Sequence, residues 1–432
     1  MKQLYSLFFA LSIGFAQVPK VWWVDGASGN DNNNGQSEAT AFKSIQNVFT
    51  NNFLSAYNDT IYVKEGTYDF KDAAVQTRSG FVLVGVSGAE KTIFDAGSEN
   101  RHFSLFLYSN DNYKQKFEGI SFIKGYDAGQ GGSIRTGSYA NVYFNGCIFE
   151  NNQSQYQGGA IYSSGDIDIN STVFKNNKAI LSTGSNQSGA LHITDTGSNR
   201  ISAVIKNSKF IGNFTQAKYD AVGGAASILV AADIINTTFI NNYTVTGLNN
   251  QDQGGSMIDS RGGALAIYDE TVRIINSTFD GNYVDAEHAY FPEDIQGASI
   301  QLVSGKLYMF NSSVTNSYIK SNGAIYTGDY PASNWTSYDE ADRIISVPSA
   351  GGFAAEYSNI QQSKNQSWAG DYVYDIAPGF KDPANGDYSL SDKSPLIGQG
   401  GATWSDLNIT APDKDILGNP RPNPSGTAPD IG

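Results

Sequence analysis

Apolar residues in this chain recur in short runs, broken by asparagine or glycine and returning in the same order. The runs IINTTFINN (234–242) and IINSTFDGN (274–282) are rich in β-branched residues, lack proline and stop at residues that tolerate left-handed backbone, which predicts strands ended by turns. The phrase Phe-x-x-Asn stands at Phe149–Asn152, Phe174–Asn177, Phe210–Asn213, Phe239–Asn242 and Phe279–Asn282. A second phrase, two small residues followed by Ala or Ser and an apolar residue, alternates with it: GGSI at Gly131, GGAI at Gly158, SGAL at Ser188, GGAA at Gly223 and GGAL at Gly262. A degenerate first copy at Phe122 and weaker ones near Gly297, Val314 and Gly323 extend the repeat over residues 120–330.

Spacing selects the architecture. From Phe122 onward the phenylalanines lie 27, 25, 36, 29 and 40 residues apart, and the shortest unit holds a coil of short strands but not a helix pair of ~34 residues. Each unit therefore reads as one turn of a β-solenoid. Coils stacked about 4.8 Å apart would bury the phenylalanines as one column and set Asn207, Asn236, Asn276 and Asn311 as an amide ladder at a bend. Near the start, Ile45, Val48 and Phe49 share a helical face within 42–53, which suits a short helix covering the first coil.

The repeat resembles the GGA[ILV] and FxxN repeats of chlamydial polymorphic outer-membrane proteins. The resemblance implies an all-β fold, a right-handed single-stranded parallel β-helix of the pectate-lyase-like kind with an N-terminal cap and an irregular C-terminal segment. The flanks, WVDGASGNDNNNGQSEATAFKSIQNV and DTIYVKEGTY, then PGFKDPANGDYSLSDKSPLIGQGG and DILGNPRPNPSGTAPDIG, resemble those of secreted bacterial β-helix proteins. The tail is similar to the end of choice-of-anchor Q proteins, in which it continues past Asp-Ile-Gly, so a truncated or anchorless version is expected. That family includes enzymes and proteins with no known reaction, so fold and not activity is what it implies.

Composition adds the address. Lys2, the apolar run Leu4–Phe15 and the small residues Gly14 and Ala16 read as a signal peptide over 1–16. Beyond it, 17–115 read as the N-terminal cap and first coils, 116–360 as the repeat-bearing coils and 361–432 as a C-terminal capping segment. No later run approaches the ~20 apolar residues of a membrane span, so the expectation is a monomer, exported to the outside or the bacterial outer surface. The net charge of −14 carries no basic run, which argues against nucleic acid and makes polyuronates unfavourable unless a cation or a local basic patch intervenes. The single cysteine, Cys147, excludes an internal disulfide and reads as a small core or ladder residue.

Chemistry on a β-helix needs side chains of adjacent coils to converge. Two residues after the second small position comes an inward column, Ile134, Ile161, Leu191, Ala226, Leu265 and Ile325. The next position should face out, as Arg135, Tyr162, His192, Ser227, Ala266, Ile300 and Tyr326. Arg135, Tyr162 and His192 are the catalytic candidates, with Arg135 on an acidic group and His192 or Tyr162 carrying a proton. A second outward column, Lys116, Tyr143, Asp168, Val204, Asp233, Arg273 and Tyr308, offers an Asp233–Arg273 ion pair, while Val204 parts Asp168 from Asp233 and spoils a metal cluster. Asp31, Asn33 and Gly35 superficially match a calcium loop but lack its late bidentate Glu. No metal site is expected and no cofactor is firmly implied, calcium being the one left open.

Length variation sits at one corner, where the gaps from each Phe to the next small pair are 10, 10, 15, 14, 24 and 18 residues. Extended loops on one flank are where repeat proteins recognise partners. The ligand-binding candidates are therefore Asp252, Asp259 and Arg261 in one loop and Tyr283, Glu287, His288, Tyr290 and Phe291 in the next, a mixture of aromatic and carboxylate groups that suits sugars. The favoured reading is an adhesin-like module that binds a glycan or cell envelope, with a surface protein as a further partner and no catalysis. The alternative is a polysaccharide lyase or glycoside hydrolase acting along the solenoid face.

Overall fold

The computed structural model describes residues 18–50, 58–107, 113–195, 201–246, 260–285, 295–321, 324–327, 344–347, 352–364 and 366–432. Among these the chain winds as a parallel β-helix whose coils contribute to four long sheets of eleven, ten, eight and nine strands. Sheet 1 runs from Val21–Val24 to Phe353–Glu356, sheet 2 from Gly66–Asp69 to Asn359–Ile360, sheet 3 from Tyr126–Asp127 to Ala324–Tyr326, and sheet 4 from Val75–Thr77 to Ile345–Ser346. A four-stranded ribbon, Asn186–Gln187 to Ile295–Gln296, leads into sheet 4 in the middle coils.

The phenylalanine column forms as the spacing requires. Phe122, Phe149, Phe174, Phe210, Phe239 and Phe279 are fully buried and stack at centroid distances of 4.8, 5.0, 4.6, 4.8 and 4.5 Å with planes within 11°. Phe94 and Tyr68 continue it into the first coils, and Val314 into the last. Two amide ladders brace the corners. At the bend between sheets 1 and 2, Asn207, Asn236, Asn276 and Asn311 all take left-handed φ near +50°. Within that ladder Asn236 donates to Asn207 and Asn311 to Asn276. The second ladder, the asparagines of Phe-x-x-Asn, was not foreseen as one. In it Asn152, Asn177, Asn213 and Asn242 each donate both to the backbone carbonyl of a phenylalanine and to the amide oxygen of the following coil, and Asn282 ends the series with the carbonyl alone.

Both ends of the solenoid are covered. The helix Ile45–Thr50 buries Ile45 and Val48 over the first coils, with Phe49 set edge-on against Phe81 and Phe103. Fully buried Asp59 anchors the first strand by accepting from the Lys20 N–H and the Trp22 indole. At the far end Trp368 packs on Phe353, and the chain then turns back along the outside. Trp404 and Ile409 form a separate apolar cluster with Ile275 and Phe310, while Gly401, Lys414 and Asp430 offer carbonyls to Asn311, Asn236 and Asn276. Part of the outer face of sheet 1 is thus lined by the chain's own tail.

One stretch of the expected register is wrong. Gly297 has φ +62° like Gly131, Gly158, Gly223 and Gly262, so it is the first small residue of its pair and not the second. Ile300 therefore belongs to the inward column and Gln301 to the outward one. The next coil enters through Ile345 and Ser346. Ile325 and Tyr326 lie instead on a strand antiparallel to Tyr318–Ser321, with Ile325 exposed. A one-residue slip exchanges the two faces of a strand, and a degenerate repeat leaves that residue ambiguous in sequence.

Candidate functional site

Sheet 4 aligns Arg135, Tyr162 and His192 on successive coils, as the column predicted. Their surroundings are not equivalent. Arg135 is exposed. Tyr162 is 8% and His192 only 3% exposed, and their rings stack at 5.2 Å with planes 7° apart. The cause is the turn before the strand. Ser188, left-handed at φ +68°, folds back so that its hydroxyl meets His192 Nδ1 at 2.9 Å. At Gly158, φ is +70° and a Cβ would run into the carbonyl oxygen of Ile161, so the small pair is required twice over, by conformation and by space.

Burial sets the chemistry of the column. His192 is pushed down to about 3 by desolvation of its charged form. It is neutral at ordinary pH and covered, which removes it as a proton carrier to an external substrate. The Tyr162 phenol is raised by burial, an effect that the Arg135 charge and the Gln130 amide oppose. Continuing the column, Ser227, Ala266, Gln301 and Ser346 are all buried, so the outward-facing strip is open at the Arg135 end alone among these coils.

At that open end lies a cleft of about 560 Å³ lined by Asp72, Gln76, Asn100, Arg101, Ser104, Phe106, Asp127 and Arg135. Ser104 and Gln76 occupy the same outward column as Arg135, one and two coils earlier. Arg101 is held by Asp127, whose other oxygen accepts the Gly129 N–H. The cleft thus presents amides, a hydroxyl, one fixed ion pair and an exposed guanidinium. Sequence reasoning found Arg135 but missed Arg101 and Asp127, which lie outside both recurring phrases and meet across coils.

The other predicted residues are placed as follows. Asp252, Asp259, Glu287, His288, Tyr290 and Phe291 lie outside the described residues, as does the expected signal peptide. Arg261 sits on the four-stranded ribbon opposite Val222 and Gln296, where its charge acts on Tyr268, a phenol pushed up to about 12 by burial. Tyr283 belongs to a ring stack on sheet 3. Asp233 and Arg273 pair bidentately at 2.5 and 2.6 Å. Asp168 is raised by burial. Asp31 caps the segment before the helix, accepting from the Lys43 and Ser44 N–H groups and the Ser44 hydroxyl. Among the described residues no three His, Cys, Asp or Glu side chains converge as a metal would require.

With this geometry in view, the chain can be set beside known proteins. No family model and no curated protein matches it. Among solved structures, pectate lyase Pel9A superposes with a TM-score of 0.50 at 16% identity, over 96% of this chain and 96% of that one. The fold is that of pectate lyase. A rhamnogalacturonan lyase follows at TM-score 0.40 and 14% identity, over 69% of this chain and 76% of its own. At such identity the likeness is one of fold, and what the molecule does must be argued from its own side chains. No helix among the described residues is long and apolar enough to cross a membrane.

Proposed function

We propose that this is an exported β-helix protein that binds a polysaccharide across its coils without cleaving it. The observation that carries the reading is the cleft beside Arg135, a polar trough spanning three coils of sheet 4. Exposed Gln76 and Arg135 stand there two coils apart with the buried Ser104 on the floor between them, so that an extended chain crossing the coils meets a polar group on either side. Two arginines face two aspartates in its lining, a balance that suits a neutral or weakly acidic glycan. The fold is shared over nearly its whole length with a protein named for lysis of pectate, which supports a polysaccharide as the class of partner. The withdrawal of His192 from solvent speaks against proton transfer from this column. Export rests on Lys2 and the apolar run after it, and adhesin-like attachment on the repeat resemblance.

The deciding experiment incubates the mature chain, with and without calcium, against neutral and acidic polysaccharides. Retention of protein and release of reducing or unsaturated ends are both followed. Retention that Arg135→Ala weakens about tenfold, with no ends released, supports binding alone. Ends released, and lost in Arg135→Ala or Tyr162→Phe, would establish a lyase or hydrolase in its place.

A further inference from the structure

A second feature lies on a different face. Along the outside of sheet 3, Phe214, Tyr243, Tyr283 and Tyr318 stand on successive coils and stack face to face at 4.9, 4.7 and 4.7 Å with planes within 9°. All four are half-buried. Because each ring face inside the stack is covered by its neighbour, the row offers edges, and the edges carry three phenolic hydroxyls at the coil repeat. No hydrogen bond ties those hydroxyls to another described residue.

Two residues along the same strands, Asp285 and Lys320 pair at 2.6 Å through Asp285 Oδ2. Asp285 is 8% exposed, and its Oδ1, buried, has no hydrogen-bond partner. Its charge reaches Tyr243, Tyr283 and Tyr318 alike. A buried carboxylate oxygen left without a donor is costly, by about 1–3 kcal/mol in typical cases, and such a group beside a row of hydroxyls with no partner among the described residues has the character of a binding surface.

We propose that Tyr243, Tyr283, Tyr318 and Asp285 form a second saccharide site, taking the hydroxyl edge of a neutral glycan laid along the solenoid axis. Sugar hydroxyls exchange hydrogen bonds with the phenols at successive coils, the buried Asp285 carboxylate standing behind them. The Asp285–Lys320 pair is neutral as a unit, so the pair itself gives no preference for a charged sugar. The phenols are raised above the ordinary tyrosine range, by burial first and for Tyr283 by the two flanking phenols next, and they remain donors at any physiological pH. The site goes beyond the cleft at Arg135, being on another sheet, and stands or falls separately.

The test titrates the full chain with cellohexaose, xylohexaose and mannohexaose by calorimetry, beside the variants Tyr283→Phe, Asp285→Asn and Arg135→Ala. Tyr283→Phe keeps the ring in the stack and removes one hydroxyl, so folding is preserved. The expected result is binding of at least one hexaose that weakens about tenfold in Tyr283→Phe, weakens likewise in Asp285→Asn, and persists in Arg135→Ala. Absence of binding by all three hexaoses, or binding that both sheet 3 variants leave unchanged, overturns the proposal. Binding lost only in Arg135→Ala would assign the sugar to the cleft and equally overturn it.

Discussion

Asn213 and Asn242, one coil apart, are joined by a 2.9 Å hydrogen bond from the Nδ2 of the first to the Oδ1 of the second. The same Oδ1 also accepts the Asn213 backbone N–H. Asn213 Nδ2 donates as well to the Phe174 carbonyl, and its own Oδ1 accepts from Asn177. Every polar atom of a fully buried side chain is thereby matched to a neighbouring coil, which is why the fourth position of the phrase is asparagine in its five full copies.

Asn213→Ala should therefore cost more than one hydrogen bond, since it strands the Phe174 carbonyl and the Asn177 amide. A loss of roughly 3 kcal/mol or more is expected from the burial of unmet partners. Urea unfolding midpoints measure it, and a loss under 1 kcal/mol would show the ladder to be incidental.

Stability should fall in mild acid because of two histidines. His102 and His192 are fully buried and pushed down from 6.5 to about 4 and about 3 by desolvation. Below pH 6.5 the unfolded chain takes up protons that the native chain refuses. Their contribution is thus complete above pH 6.5 and is lost as pH drops toward the folded values. At pH 4.5 each accounts for roughly 2–3 kcal/mol of lost stability. His192→Gln should flatten the fall in urea midpoint between pH 7 and 4.5 relative to the parent chain.

Cys147 should be inert until the chain unfolds. It is fully buried, its Sγ lies 3.4 Å from the Phe117 carbonyl, and burial pushes its thiol up to about 12. It stands in a ladder otherwise made of hydroxyls, in which Thr172, Ser208, Ser277, Ser312 and Ser358 each accept a backbone N–H from the preceding coil. Cys147→Ser should leave the melting temperature within a few degrees, and a thiol reagent should label the parent chain only in denaturant.

The glycines of the recurring pair should differ sharply from those at open turns. Gly158→Ala must relieve both a left-handed φ and a collision with the Ile161 carbonyl, whereas Gly146, at φ +60°, has open space where a Cβ would go. Gly146→Ala should cost about 1–2 kcal/mol and Gly158→Ala considerably more, to the point of insoluble expression.

The returning tail should be separable from the solenoid. Trp404 is nearly buried against Phe310 and Tyr308, and Arg421 bonds Asn236 and the Gly432 carbonyl. Trp404→Ala should expose 400–432 to limited proteolysis while the far-ultraviolet circular dichroism of the coils persists, since each coil is held chiefly by its neighbours.

The winding was legible in the sequence because a solenoid repeats its contacts. One phenylalanine per coil, one asparagine at a bend and one small pair before a strand each leave a mark at every turn, and period-two alternation then separates inside from outside. The adjacency of Arg135, Tyr162 and His192 and the pairing of Asp233 with Arg273 were readable for the same reason. What tertiary structure alone decided is exposure and convergence. Alternation says that His192 faces outward, yet only the backfolded turn at Ser188 shows that outward is not solvent. Register at Gly297 hung on a left-handed φ that glycine permits without requiring. The Arg101–Asp127 pair and the orphaned oxygen of Asp285 arise between coils 26 and 35 residues apart in sequence, where no short-range pattern constrains which side chains meet.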